Sequence, residues 1–279
     1  MNAGGAAWLA PAMMIASGSI HAVVNAILKG GKDKMAGRAT IDGSSALLLL
    51  PATLFVPLPA GAWGWLAATA LLHCAYLYAL VRALETSDFS AAYPILRGTA
   101  PLVTAALAIG VFGEAVGARE AGIALIGAAM FVMIGGRHIS RAGLGWALLT
   151  GVTIAGYTVI DANGVRAAPT PISFIVWMFV LMGSLTVAMF AVISRGTIFI
   201  AARRQWRPGV AAGALSILTY GLALSAFALG PTAPLAALRE TGMVTALLIA
   251  TFVLKERVTA GRALGVAGIL SGAVLILTR

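Results

Sequence analysis

Residues 78–114 read YALVRALETSDFSAAYPILRGTAPLVTAALAIGVFGE, and residues 220–256 read YGLALSAFALGPTAPLAALRETGMVTALLIATFVLKE. The two align without a gap over 37 positions at a constant offset of 142, with nine identities. Both are rich in Ala, Leu and Val, so the weight falls on the rarer matches: Tyr78 with Tyr220, Arg97 with Arg239, Glu114 with Glu256. An internal repeat decides architecture before any local pattern does. This one also sets an arginine inside an apolar run in each half.

Around the repeat the whole chain is apolar. It is 60% hydrophobic and 10% charged, against about 25% charged in soluble domains. That composition implies an integral membrane protein. The net charge of +10 comes from basic residues in short connections between apolar runs. Such placement sets membrane orientation and does not point to nucleic acid. Cys74, alone and inside an apolar run, cannot form an intramolecular disulfide. The opening MNAGGAAWLAPAMM lacks a basic leader region, so the first apolar run is expected to stay as a span.

Ten transmembrane helices are expected, at about 8–28, 41–59, 63–84, 90–112, 117–136, 142–160, 171–194, 208–229, 232–254 and 261–278. The segment 195–208 is expected as an interfacial loop with snorkelling arginines. The expected fold class is thus an all-α membrane protein of ten spans in two five-helix repeats, 1–140 and 141–279. An odd number of spans per repeat inverts the second against the first and places a substrate site near the midplane, where the halves meet. Basic residues crowd the connections after spans 1, 5, 7 and 9, among them Arg38, Arg195 and Arg203. The positive-inside rule then puts both termini outside the cytoplasm.

Arg97 and Arg239 each lie about eight residues into a span, roughly 12 Å deep. A charge there costs at least about 2.5–3.5 kcal/mol and must face protein or water. Either could hold the acidic group of an anionic or zwitterionic substrate, or form a gate ion pair, with Glu240 as a further contact. Pro94 and Pro101 predict a kinked or locally open span 4. His73 and Tyr76 share a helix face, and with Tyr78 and Tyr93 are candidate cavity wall. Tyr157, Tyr220 and Trp177 are further substrate-binding candidates. Asp161, near the expected end of span 6, reads as interfacial. His21, on one face with Asn25, and His73 are candidates for proton coupling. Glu114 and Glu256 read as caps or dipole partners of spans 5 and 10. Gly261, Gly265, Gly268 and Gly272 form a smooth stripe on span 10, and span 5 carries Gly122 and Gly127. They suit packing of spans 5 and 10 on each other or a homodimer through them. No phosphate-cradling loop, metal cluster or nucleophile with its base stands out, so neither an enzyme nor a cofactor is expected.

The repeat and its motifs, 91–114 (AAYPILRGTAPLVTAALAIGVFGE) and 234–256 (PLAALRETGMVTALLIATFVLKE), resemble the drug/metabolite transporter superfamily, closest to its ten-span EamA-type branch. The resemblance implies two inverted five-helix repeats and a central cavity lined by spans 1, 3, 4, 6, 8 and 9, with spans 5 and 10 peripheral. It implies alternating access for amino acids, other metabolites or drugs, nucleotide sugars or organic phosphates. Two features depart from the family. His21 stands where many members have Trp, and the connection after span 2, PLPAG, carries no charge where the family has basic residues and cytoplasmic termini. The expected function is secondary transport of a small metabolite, an amino acid or related zwitterion or anion, across the bacterial inner membrane, with lipid and substrate as partners. Export of cationic or lipophilic drugs, or a non-transporting assembly role, are the alternatives.

A reporter fused after Arg279 tests the charge-based topology: activity outside the cytoplasm is expected, and a cytoplasmic C-terminus would overturn it.

Overall fold

The computed structural model describes residues 3–30, 33–87, 89–113, 119–134, 139–253, 255 and 258–278. Glu114 and Glu256 lie outside them. Every regular element among the described residues is helical. The elements are α1 (Ala3–Gly30), α2 (Lys34–Leu49) with a 3₁₀ turn at Leu50–Leu54, α3 (Trp63–Thr86), α4 (Phe89–Gly110), α5 (Arg119–Val132), α6 (Arg141–Ala167), α7 (Pro171–Ile193), α8 (Ile198–Arg204), α9 (Trp206–Leu229), α10 (Thr232–Arg239), α11 (Gly242–Leu248) with a π turn at Ile249–Val253, and α12 (Ala260–Thr278).

Seven segments among the described residues are long and apolar enough to cross a membrane: Trp63–Ala83, Ala92–Gly110, Arg141–Ala167, Pro171–Ile193, Trp206–Leu229, Thr232–Val253 and Ala260–Thr278. The regular parts of α2 and α5 are 16 and 14 residues, short of the roughly 20 a straight span needs. In α1, Ser17, Ser19, His21 and Asn25 interrupt the apolar run. The outer surface suits lipid: Leu71, Val192, Leu264 and Val274 are exposed, while Ser17, Thr69, Asp161 and Thr219 are buried inside.

Helix ends follow local chemistry. Asp33 accepts from Ala36 N at 2.9 Å and starts α2 seven residues before the expected span 2. Thr170 caps α7 through Ser173 N, with Pro171 in the first turn. The segment 195–208, expected as a loop, contains the short helix α8.

The expected local opening of span 4 is found in its counterpart instead. α4 runs unbroken through Pro94 and Pro101, with α5 and α6 packed along it. The break falls in its counterpart. α10 ends at Arg239 and α11 begins at Gly242, and between them the bonds tighten from the α-helical step to Glu240 N→Ala237 O at 3.0 Å and Thr241 N→Leu238 O at 3.1 Å.

Packing exchanges partners between the halves. α1 packs on α9 and on α10–α11, as α6 packs on α3 and α4. α2 meets α7, and α5 meets α12. The glycine faces of α5 and α12 are turned on each other. A Cβ on Gly122 would lie 2.7 Å from the Gly272 carbonyl oxygen, and one on Gly272 would lie 2.6 Å from that of Gly122.

Gly272→Val is expected to lower stability by about 1–3 kcal/mol, the usual cost of overpacking. Gly145→Ala, in open space on the exposed face of α6, should raise it by about 0.5–1 kcal/mol. Thermal unfolding of the purified variants separates the two, and equal effects would contradict the helix contact.

Candidate functional site

A cavity of about 240 Å³ lies where the two halves meet. α1 supplies His21 and Asn25, α2 Arg38 and Asp42, and α3 His73, Tyr76, Leu77, Leu80 and Val81. α4 adds Tyr93, Leu96 and Arg97. From the second half come Ile154 and Tyr157, then Phe179, Met182 and Phe190, then Ser216, Thr219 and Tyr220, and finally Arg239. Most first-half contributors sit in the C-terminal halves of α1 and α3 and the N-terminal halves of α2 and α4. The cavity therefore extends toward the end that those halves share. Toward the other, Met14, Phe174 and Phe227 fill the core. There Arg166 also ties α6 to α9 by donating to the carbonyls of Phe227 at 2.9 Å and Gly230 at 2.7 Å.

Of the candidates named from sequence, eight come together here: Arg97, Arg239, Tyr76, Tyr93, Tyr157, Tyr220, His21 and His73. His73 Nδ1 donates to the Thr69 carbonyl at 3.0 Å, and its ring stacks on Tyr157 with centroids 4.0 Å apart. Tyr76 and Tyr220 stand edge-on to the same imidazole, each at 6.2 Å. Asn25 donates to the Tyr93 hydroxyl at 3.0 Å and joins α1 to α4.

Three candidates stand elsewhere. Tyr78 is 47% exposed and packs edge-on to Trp146 at 5.8 Å. It follows Tyr76 by two residues, which turns it to the opposite helix face. Trp177 packs edge-on to Trp63 at 5.6 Å and does not line the cavity. Glu240 lies behind the wall, where its Oε2 meets Arg97 Nε at 2.9 Å.

The two repeat-related arginines are thus in different electrostatic states. Both are buried, at 8% and 9% exposure. Arg97 has Glu240 as its counter-ion, and its guanidinium lies 5.9 Å from the Tyr93 ring centre. Arg239 faces the Tyr220 ring at 5.1 Å, and among the described residues it has neither a carboxylate nor a hydrogen-bond partner. Each arginine helix is crossed by a glycine of the opposite half. Gly18 of α1 lies against the carbonyl of Arg239 and the amide of Gly242, with no room for a Cβ. Gly151 of α6 lies in the same way against the Leu96 carbonyl and Thr99.

Sequence reasoning missed two acidic positions in this region. Arg38, read as a loop charge, lies in α2 and bonds Asp42 at 2.8 Å. Their four-residue spacing was the available signal. Asp161, read as interfacial, is fully buried because α6 continues to Ala167, and it accepts from the Tyr220 hydroxyl.

Residues 141–278 match the EamA-like transporter family. That match covers just under half of the chain, and the seven long apolar segments mark a membrane protein. A crystal structure of a protein 18% identical to this chain shares the fold, with a TM-score of 0.74 over 97% of this chain and 96% of that one. No curated protein matches the sequence.

Arg97→Ala strands Glu240 as a buried charge and is expected to cost about 3–5 kcal/mol, whereas the apolar double variant Arg97→Leu/Glu240→Leu should stay within about 1–2 kcal/mol of the parent. Denaturation of the three proteins measures this. A double variant as unstable as Arg97→Ala would contradict a mutually neutralising pair.

Proposed function

We propose that the protein is a secondary transporter of a small metabolite carrying an acidic group, working by alternating access in the inner (plasma) membrane. One observation carries the reading: Arg239 is a buried cation on a cavity wall, and among the described residues no carboxylate is in ion-pair contact with it. A charge at such depth needs a partner, and a substrate carboxylate or phosphate supplies one. The EamA domain makes transport the expected class for that cavity.

Alternating access draws support from the packing. Helices α1–α5 correspond in order to α6, α7, α9, α10–α11 and α12, and the contact of α1 with α9 then has its image in that of α6 with α3. α2 with α7 and α5 with α12 are their own images. This is what a pseudo-two-fold axis in the membrane plane between two inverted five-helix repeats would generate. On this reading all ten segments cross the bilayer. The Arg166 bonds and the Met14–Phe227 core lie at one end of the cavity, which on this reading corresponds to the closed side of one access state. Exchanging them would move α1 and α6 across the arginine helices at the Gly18 and Gly151 crossings. His21 and His73 border the cavity and remain the candidates for coupling a proton to that change.

A cavity for cationic drugs fits less well, because Glu240 already neutralises Arg97 and Asp42 neutralises Arg38. Reconstitution in liposomes tests the proposal. Loss of a charge-assisted contact of about 1.5–3 kcal/mol should raise KM roughly 10–100-fold in Arg239→Ala. Arg239→Lys should recover part of it, keeping the charge without the fork. Transport by Arg239→Ala at the parental KM would refute the assignment.

A further inference from the structure

The acidic residues around the cavity bear on the other end of the substrate. The sequence holds nine Asp and Glu. Asp33 caps α2, Glu85 pairs with Arg82, Glu120 is in the first turn of α5, and Asp88, Glu114 and Glu256 fall in connections outside the described residues. Three remain near the cavity, two of them ion-paired and the third sealed from it. Asp42 holds Arg38 at 2.8 Å, Glu240 holds Arg97 at 2.9 Å, and Asp161 is sealed at 0% exposure behind the Tyr220 hydroxyl. Two of the cavity's aromatic faces already carry a cation, since Tyr93 faces the guanidinium of Arg97 and Tyr220 that of Arg239. A second cation beside either ring would meet a like charge with little water to screen it.

We infer that the cavity selects a small organic acid lacking an ammonium group, its carboxylate on Arg239 and its apolar body against Leu80, Tyr157, Phe179 and Met182. This rests on the reading of Arg239 as the anion holder and narrows it from zwitterions to plain anions. An amino acid would seat its carboxylate equally well. Its ammonium would then exchange water for hydroxyls such as those of Ser216 and Tyr76, with no carboxylate to neutralise it. Arg239, the arginine left without an ion pair, attracts the acid, while the carboxylates nearest the wall are held in pairs or sealed and leave the α-amino group without a partner.

Matched pairs differing only in the α-amino group test this: 3-phenylpropanoate and phenylalanine, 4-methylpentanoate and leucine, succinate and aspartate. Binding is measured by titration calorimetry on the purified full-length protein in detergent, with Arg239→Ala, Arg239→Gln and Tyr78→Phe alongside, each checked for monodispersity. In at least one pair the deaminated acid should bind ten-fold or more tightly than its amino acid. That binding should vanish in both Arg239 variants and persist in Tyr78→Phe, whose side chain is outside the cavity. Amino acids binding as tightly as the plain acids, and still needing Arg239, would overturn this inference and leave the anion-holding role standing. Binding indifferent to Arg239, or no binding by any member of the three pairs, would overturn both.

Discussion

The ion pair between Arg97 of α4 and Glu240, in the break between α10 and α11, is the contact on which the rest of the interior depends. It joins the two halves across the cavity wall and settles the charge of one repeat-related arginine but not the other. A buried pair of this kind adds little net stability, because desolvating both ions offsets most of their attraction. What it supplies is asymmetry. On the proposed function, the Arg97 position is closed to an incoming anion, and Arg239 is left to receive one.

That asymmetry has a backbone origin. Position 240 is Glu where the first half has Gly98, and 242 is Gly where it has Ala100. Gly242 weakens the helix at the point where Gly18 of α1 crosses it closely, and α10 stops at Arg239. Glu240 thereby sits in a tightened turn and reaches Arg97 of α4. In the first half the helix continues through two prolines, held between α5 and α6. The two aligned stretches thus form one continuous and one broken helix, each bearing its arginine at the cavity.

Much of this was legible before any coordinates. The depth of Arg97 and Arg239 in apolar runs marked them as facing something other than lipid, and both are buried. His73 and Tyr76 followed from their three-residue spacing. Other parts were not legible, for specific reasons. Tyr78 looked like a neighbour of Tyr76 in sequence, but helical rotation sends it outward. Arg38 and Asp161 were misplaced because helix ends were misplaced: an Asp33 cap and a long α6 draw both residues inward. Glu240 was recognised as deep, but its partner could not be found, since no local pattern relates residues 97 and 240. Spans 2 and 5 were expected at full length from hydropathy, whereas their regular helices are shorter.

The asymmetry between the arginines is tested most directly by a high-resolution structure of the protein with a bound carboxylate ligand in the cavity. The account predicts the ligand carboxylate at about 2.7–2.9 Å from the Arg239 guanidinium, with the Arg97–Glu240 contact intact. A carboxylate seated on Arg97 with Glu240 displaced, or one that leaves Arg239 uncontacted, would contradict it.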